Sequence, residues 1–125
     1  MNKEVRKVLI EIARNRIRNY IHYQELSDKC DLKLNMRDNP QDRLEIGRIL
    51  GEISEFENDN GRPLLSALVI TKGGEEGDGF FKLCESLGMG SWNRLKRDPA
   101  FAASHMNKCY DFWLKDDNYK KFRDI

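Results

Sequence analysis

Cysteine, histidine and proline are scarce in this chain, and long apolar runs are missing. Three cysteines, Cys30, Cys84 and Cys109, stand far apart among 125 residues. Their odd number and wide spacing argue against a disulfide framework or a CxxC metal knuckle and predict three reduced thiols. The two histidines, His22 and His105, fall in different predicted elements, and no HExxH spacing is present, so neither a metal nor another cofactor is expected. No run approaches the roughly 18 apolar residues of a membrane span. Met1-Asn2-Lys3-Glu4 does not open a signal peptide. The expectation is a cytoplasmic protein with no membrane contact.

Charge, by contrast, is plentiful: 34% of residues are charged and 39% hydrophobic, which suits a single domain over 1–125 with a modest core and a heavily solvated surface. The net charge of +1 hides a segregation. Met1 to Tyr23 holds six cations against two acids, Gly51 to Gly90 three cations against eight acids, and Ser91 onward eight cations against five acids. Such an arrangement suits a polyanion at one face, and equally a mixed solvated surface.

One stretch organises the rest. Leu64, Leu65, Ala67, Leu68, Val69 and Ile70, closed by Thr71, form the main apolar run with strand character. A loop with Gly73, Gly74, Gly77 and Gly79 follows, and Phe80 opens a predicted helix. Strand, glycine loop and helix suggest a nucleotide-binding unit, but Gly79 is followed by Phe80-Phe81 where a phosphate loop requires Lys-Ser/Thr. Glu75, Glu76 and Asp78 would also repel phosphate. The loop reads as structural.

Around it, helical spacing predicts helices over Lys3–Arg18, with Arg6, Arg14 and Arg18 off the apolar face, and Tyr23–Cys30, with Leu26 inward. Between 31 and 38 a loop or short strand is expected. Asn39-Pro40 and Asn60-Gly61 bracket a third helix, with Leu44, Ile46, Ile49, Leu50, Ile53 and Phe56 on its apolar side. Gly47 and Gly51 lie four apart on it and suggest close backbone packing. Its acids Glu52, Glu55, Glu57 and Asp59 are assigned to its wet side. Phe80–Leu87 and a long helix from Asp98-Pro99 to about Lys115 complete five helices, with 89–125 as a helical extension of a core over 1–88.

Catalysis is the weaker class. Ser66 lies in the apolar run without a Gly-x-Ser-x-Gly elbow, and no spacing pairs a cysteine with a histidine. Nucleic-acid binding has more behind it. A basic first helix, a short helix, a long helix and a strand suit a winged-helix variant. Arg37, Arg43 and Arg48 would then face a groove, with Arg14, Arg16, Arg18 and Lys33 reaching phosphates. Only the first half of the third helix is usable, because Glu52, Glu55 and Glu57 occupy the second.

Several segments carry a family resemblance: Tyr23-Gln24-Glu25-Leu26-Ser27, Ile46-Gly47-Arg48-Ile49-Leu50, Arg62 to Ile70, and Gly77-Asp78-Gly79-Phe80-Phe81. Together they resemble a group of uncharacterised bacterial proteins associated with defence or mobile-element genes. The first half is also similar to the DNA-binding domain of alkylguanine alkyltransferases and alkyltransferase-like proteins. The likeness covers about 22–87 and implies a winged-helix-like core with Arg43 and Arg48 at DNA. It implies no alkyl transfer, because Leu64-Leu65-Ser66 stands where that family has Cys-His-Arg.

The sequence therefore predicts a mostly helical α+β domain of about five helices with a small sheet, winged-helix-like. The expected function is non-catalytic DNA binding through Arg43, Arg48, Arg37, Lys33, Arg14 and Arg18. The rival is a protein-interaction module, inhibitor or immunity-like, using Glu52, Glu55, Asp59, Glu75 and Glu76. Trp92, Phe112 and Trp113 are assigned to the core.

Overall fold

A computed structural model describes residues 1–125 and is mostly helical. Seven helices form: α1 (Lys3–Arg14), α2 (Tyr23–Lys29), α3 (Pro40–Asp59), α4 (Asp78–Ser86), α5 (Trp92–Arg97), α6 (Pro99–Trp113) and α7 (Asp116–Phe122). Two more than expected appear, α5 and α7, both short. None of the helices is long and apolar enough to cross a membrane.

Local chemistry sets most boundaries. The side chains of Asn2, Asn39 and Asp98 accept N–H groups of Val5, Gln41 and Ala100, each at 3.0 Å, and so cap α1, α3 and α6. Pro40 and Pro99 occupy the first helical positions, where the missing N–H costs nothing. The first helix stops at Arg14, short of the expected Arg18. Asn15 Oδ1 accepts the Ile17 and Arg18 N–H groups at 2.9 and 3.1 Å, turning the chain out of the helix.

The apolar run after Pro63 is the main correction to the sequence reading. Leu65–Leu68 is a 3-10 helix, and only Val69–Ile70 is a strand, β2. It pairs in parallel with β1, Ile21–His22, in the register Ile21 opposite Val69 and His22 opposite Ile70. That two-stranded sheet is all the β-structure present. A short apolar run buried on every side carries no periodicity that separates strand from helix. Here α1, α3 and α6 all pack on the 3-10 turn. Its backbone is held by side chains: Ser54 Oγ accepts the Ser66 N–H at 3.1 Å, and the Cys109 thiol donates to the Leu64 carbonyl at 3.3 Å.

The main core gathers Val5, Leu9, Ile10 and Ala13 of α1, Leu26 of α2, Ile46, Ile49, Leu50 and Ile53 of α3, Leu65 and Leu68, and Cys109 and Trp113 of α6. A satellite cluster joins Leu64, Ala67, Phe80, Phe81 and Cys84, with Trp92, Leu95 and Phe101 partly buried against it. All three thiols are free and buried.

Four side-chain or backbone assignments change. Leu44 is 68% exposed, because it lies about 200° around α3 from Ile46, at 100° per residue. Gly47 and Gly51 have no atom within 4 Å of a built Cβ, so nothing packs closely there. Arg6 and Glu57, assigned to solvent, are 3% and 0% exposed and face one another. Trp92 is half-buried rather than core, whereas Trp113 is fully enclosed.

Candidate functional site

Three of the predicted DNA-contacting arginines, Arg48, Arg18 and Arg14, are tied up by acids of this chain. Arg48 pairs with Glu45 at 2.6 Å and with Glu52, one turn before it and one turn after it on the same face of α3. Those neighbours push its pKa up and pull that of Glu45 down. Arg18 forms a two-bond fork with Glu25 at 2.6 and 2.7 Å and lies 4.9 Å from the Tyr20 ring centre. The fork holds the Glu25 carboxyl down at about 2. Arg14 donates to the Trp113 carbonyl at 2.7 Å and to Asp116 at 2.8 Å, with the Tyr119 ring 4.1 Å from its guanidinium carbon. It ties α1 to the start of α7.

The remaining three share one corner, the loop 31–39 and the first turn of α3. Arg43 Nη1 donates to the Met36 carbonyl at 2.8 Å and the Arg37 carbonyl at 3.2 Å. Asn35 braces the same loop by accepting the Arg37 and Asp38 N–H groups at 3.1 and 3.0 Å. Asp42 returns from α3 to accept the Asn35 N–H at 2.8 Å, and Gln24 of α2 accepts the Met36 N–H at 2.9 Å. Asp31 and Lys33 both take left-handed backbone, φ 52° and 58°. On this braced loop Lys33 is exposed, and the Arg37 side chain is 91% exposed with Asp38 at 4.0 Å. The acids of the corner, Asp38 and Asp42, remain in it.

The acidic set is split as well. Glu55, Asp59 and Glu75 are exposed and have no cation within 4.0 Å, while Glu52 engages Arg48 and the N-terminal amine at 3.6 Å. Glu76 is only 4% exposed, which removes it from any contact surface. Its Oε1 meets no hydrogen-bond donor of the chain. Desolvation pushes its pKa up, with Glu75 adding to the effect. Next to it the Tyr23 hydroxyl accepts the Gly77 N–H at 3.0 Å, and a Cβ on Gly77 would stand 2.9 Å from that hydroxyl oxygen. The glycine is thus required by the approach of Tyr23, which fixes the loop over β1 and α2.

Two arrangements escaped sequence reasoning. One is buried: Glu57 receives Arg6 Nε on one oxygen at 2.5 Å and Arg62 Nε on the other at 2.6 Å. Arg6 also donates to the carbonyls of Phe122 and Arg123, both at 2.9 Å, so the end of α7 closes over it. Spacing along α1 and α3 gives no sign of this, although Glu57 does lie on the Ile46–Ile53 stripe. The other lies on the surface, in Trp92-Asn93-Arg94-Leu95-Lys96-Arg97, three cations in four residues behind a tryptophan. That density was visible in the sequence.

No group of three or more His, Cys, Asp or Glu converges in a way that could hold a metal ion. His105 is packed edge-on to Phe80 and Phe101, centroids 5.9 and 4.7 Å away, and burial lowers its pKa. Burial raises the thiols of Cys84 (to about 12) and Cys109, which makes both poor nucleophiles. An open cleft of about 530 Å³ is lined by Ile12, Arg18, Tyr20, Ile21 and Glu25 among others, with the Arg18–Glu25 fork in its wall. Compared with protein-family models, with curated proteins and with solved structures, the chain matches none.

Proposed function

We propose that the chain is a non-catalytic nucleic-acid-binding module that takes DNA against the loop 31–39 and the first turn of α3. The observation that carries this is the Arg43 clamp, whose two bonds to the Met36 and Arg37 carbonyls hold the loop so that Lys33 and Arg37 project from it. Cations on a braced loop lose little freedom on meeting phosphates, which favours binding. The resemblance to alkyltransferase-type DNA-binding domains points the same way, and with it a winged-helix-like mode and a defence or mobile-element setting. Arg14, Arg18 and Arg48 play a lesser part in this reading, because each would have to leave an acid of its own chain.

The test is duplex DNA binding across a salt series, comparing the protein with a Lys33→Ala/Arg37→Ala/Arg43→Ala variant and with Arg48→Ala. The triple variant should bind at least about tenfold more weakly, with the salt slope shallower by about 0.9 for every phosphate it no longer neutralises. Arg48→Ala should change little. Absence of binding at low salt would overturn the reading.

Glu55, Asp59 and Glu75, exposed and unpaired, favour a second reading, a protein-interaction module with a basic partner. It predicts that charge reversal of Glu55 and Asp59 abolishes capture of that partner and leaves the fold intact.

A further inference from the structure

The loop 71–77, between β2 and α4, is held together mainly by its own hydrogen bonds. The Thr71 N–H donates to the Glu75 carbonyl at 2.7 Å and the Gly74 N–H to the Thr71 carbonyl at 2.9 Å. Both bonds travel with the loop if it moves. Across to α2 it is tied by one hydrogen bond, from the Gly77 N–H to the Tyr23 hydroxyl at 3.0 Å. Glycines stand on both sides of Glu76, at 73, 74 and 77, and let the backbone turn there.

Under this loop Glu76 is 4% exposed, and its Oε1 meets no donor. The ionisable groups within its electrostatic reach are Glu75 on the loop, Tyr23 of α2, Cys84 of α4 and Tyr110 of α6, none of them a cation. Lys72 of the loop is exposed, and Lys96 of α5 is engaged by Asp78, so neither neutralises it. Two histidines stand near the ends of the segment: His22 Nδ1 lies 3.3 Å from the Ile70 carbonyl, and His105 is edge-on to Phe80. A buried carboxylate with no cation and an empty oxygen is disfavoured, and burial accordingly raises the pKa of this one. Such a group either keeps its proton or leaves its site. A loop with a single outside tie makes leaving the less costly course once the proton is gone.

We infer that the loop 71–77 is a proton-operated flap, shut on Tyr23 while Glu76 is protonated and swung out when Glu76 ionises. Opening carries the carboxylate to the surface beside Glu75 and adds a charge to the acidic face. This device is independent of the nucleic-acid reading.

Solvent exchange of the Gly77 amide, followed by NMR from pH 4 to 8 and expressed as protection relative to an unfolded chain, tests it. Opening lets Glu76 release one proton. Protection should therefore fall by up to about tenfold per pH unit above about pH 4.5, levelling off where Glu76 ionises in the shut flap. Glu76→Gln and Glu76→Met, neither of which can ionise, should each hold one value across the range. The Leu9 amide, in the core of α1, should keep its protection in all three proteins. Constant Gly77 protection in the parent would overturn the inference, because the shut flap would then accommodate the carboxylate. An equal fall in both variants would overturn it by assigning the opening to another group, such as His22 or His105. A fall shared with Leu9 would do so by showing that the whole fold opens.

Discussion

Arg6 and Glu57, 51 positions apart in sequence, meet in the interior with side chains 3% and 0% exposed, and Arg62 completes the group from the other carboxylate oxygen. The two cations exceed the one anion, and the surplus faces neutral groups, with Arg62 Nη2 left without a hydrogen-bond partner. The Phe56 ring lies 5.5 Å from Arg6 and 5.2 Å from Arg62, and the Phe122 ring 5.3 Å from Arg62. The carbonyls at the end of α7 take the rest of Arg6. Glu57 therefore joins α3 to α1 through Arg6, and Arg6 carries the link on to the end of α7.

Removing the anion should be severe. Glu57→Gln leaves two buried guanidiniums without a counter-charge, and a cost of about 3–5 kcal/mol in urea unfolding is expected. Glu55→Gln, two residues away and exposed, should stay within about 0.5 kcal/mol. Equal effects at both positions would show that the buried group contributes nothing special.

The buried hydroxyl pair Ser54–Ser66, 2.7 Å apart, predicts an asymmetry. Ser54 Oγ also accepts the Ser66 N–H, so Ser54→Ala orphans a hydroxyl and an amide, while Ser66→Ala orphans only a hydroxyl. Each unpaired buried group costs about 1–3 kcal/mol. Chemical denaturation should find Ser54→Ala the more destabilised of the two.

Gly47→Ala should stabilise the protein by about 0.5–1 kcal/mol. The site is helical and exposed, and a Cβ meets nothing within 4 Å, so only the helix propensity changes. A fall in melting temperature would mean that this face has a neighbour. Gly77→Ala should do the opposite, since its Cβ would collide with the Tyr23 hydroxyl at 2.9 Å.

Glu76 predicts a pH dependence of definite sign. Its folded pKa is raised above the ordinary value of 4.5 by burial, so the folded state holds the proton more tightly than the unfolded chain. Its contribution is fully present below about pH 4.5 and is lost as pH rises through the raised folded value. Glu76→Gln mimics the protonated form. The stability difference between Glu76→Gln and the parent should therefore grow in the variant's favour from acid to neutral pH. Taking the difference removes the opposite trends of Glu25 and Asp116, whose lowered values cost stability as pH falls. A difference flat with pH would show that Glu76 is not held in its buried site.

Much of the architecture follows from the chain alone. Asn39-Pro40, Asp98-Pro99 and Asn60-Gly61 fix helix ends through bonds made within a few residues, and the Val5–Leu9–Ile12 and Ile46–Ile49–Ile53 stripes fix which faces turn inward. The mostly helical α+β class, the free thiols and the exposed Lys33 and Arg37 were legible for the same reason: short-range chemistry suffices. What the tertiary structure alone decided depends on residues distant in sequence. Leu65–Leu68 became a 3-10 turn because α1, α3 and α6 surround it and leave no edge for a sheet. Glu57 went inside because Arg6 and Arg62 await it there, and Glu76 because Tyr23 draws the glycine loop down over it. Charge patterns predict solvent exposure only while no partner lies across the fold, and a partner 51 residues away leaves no mark on local periodicity.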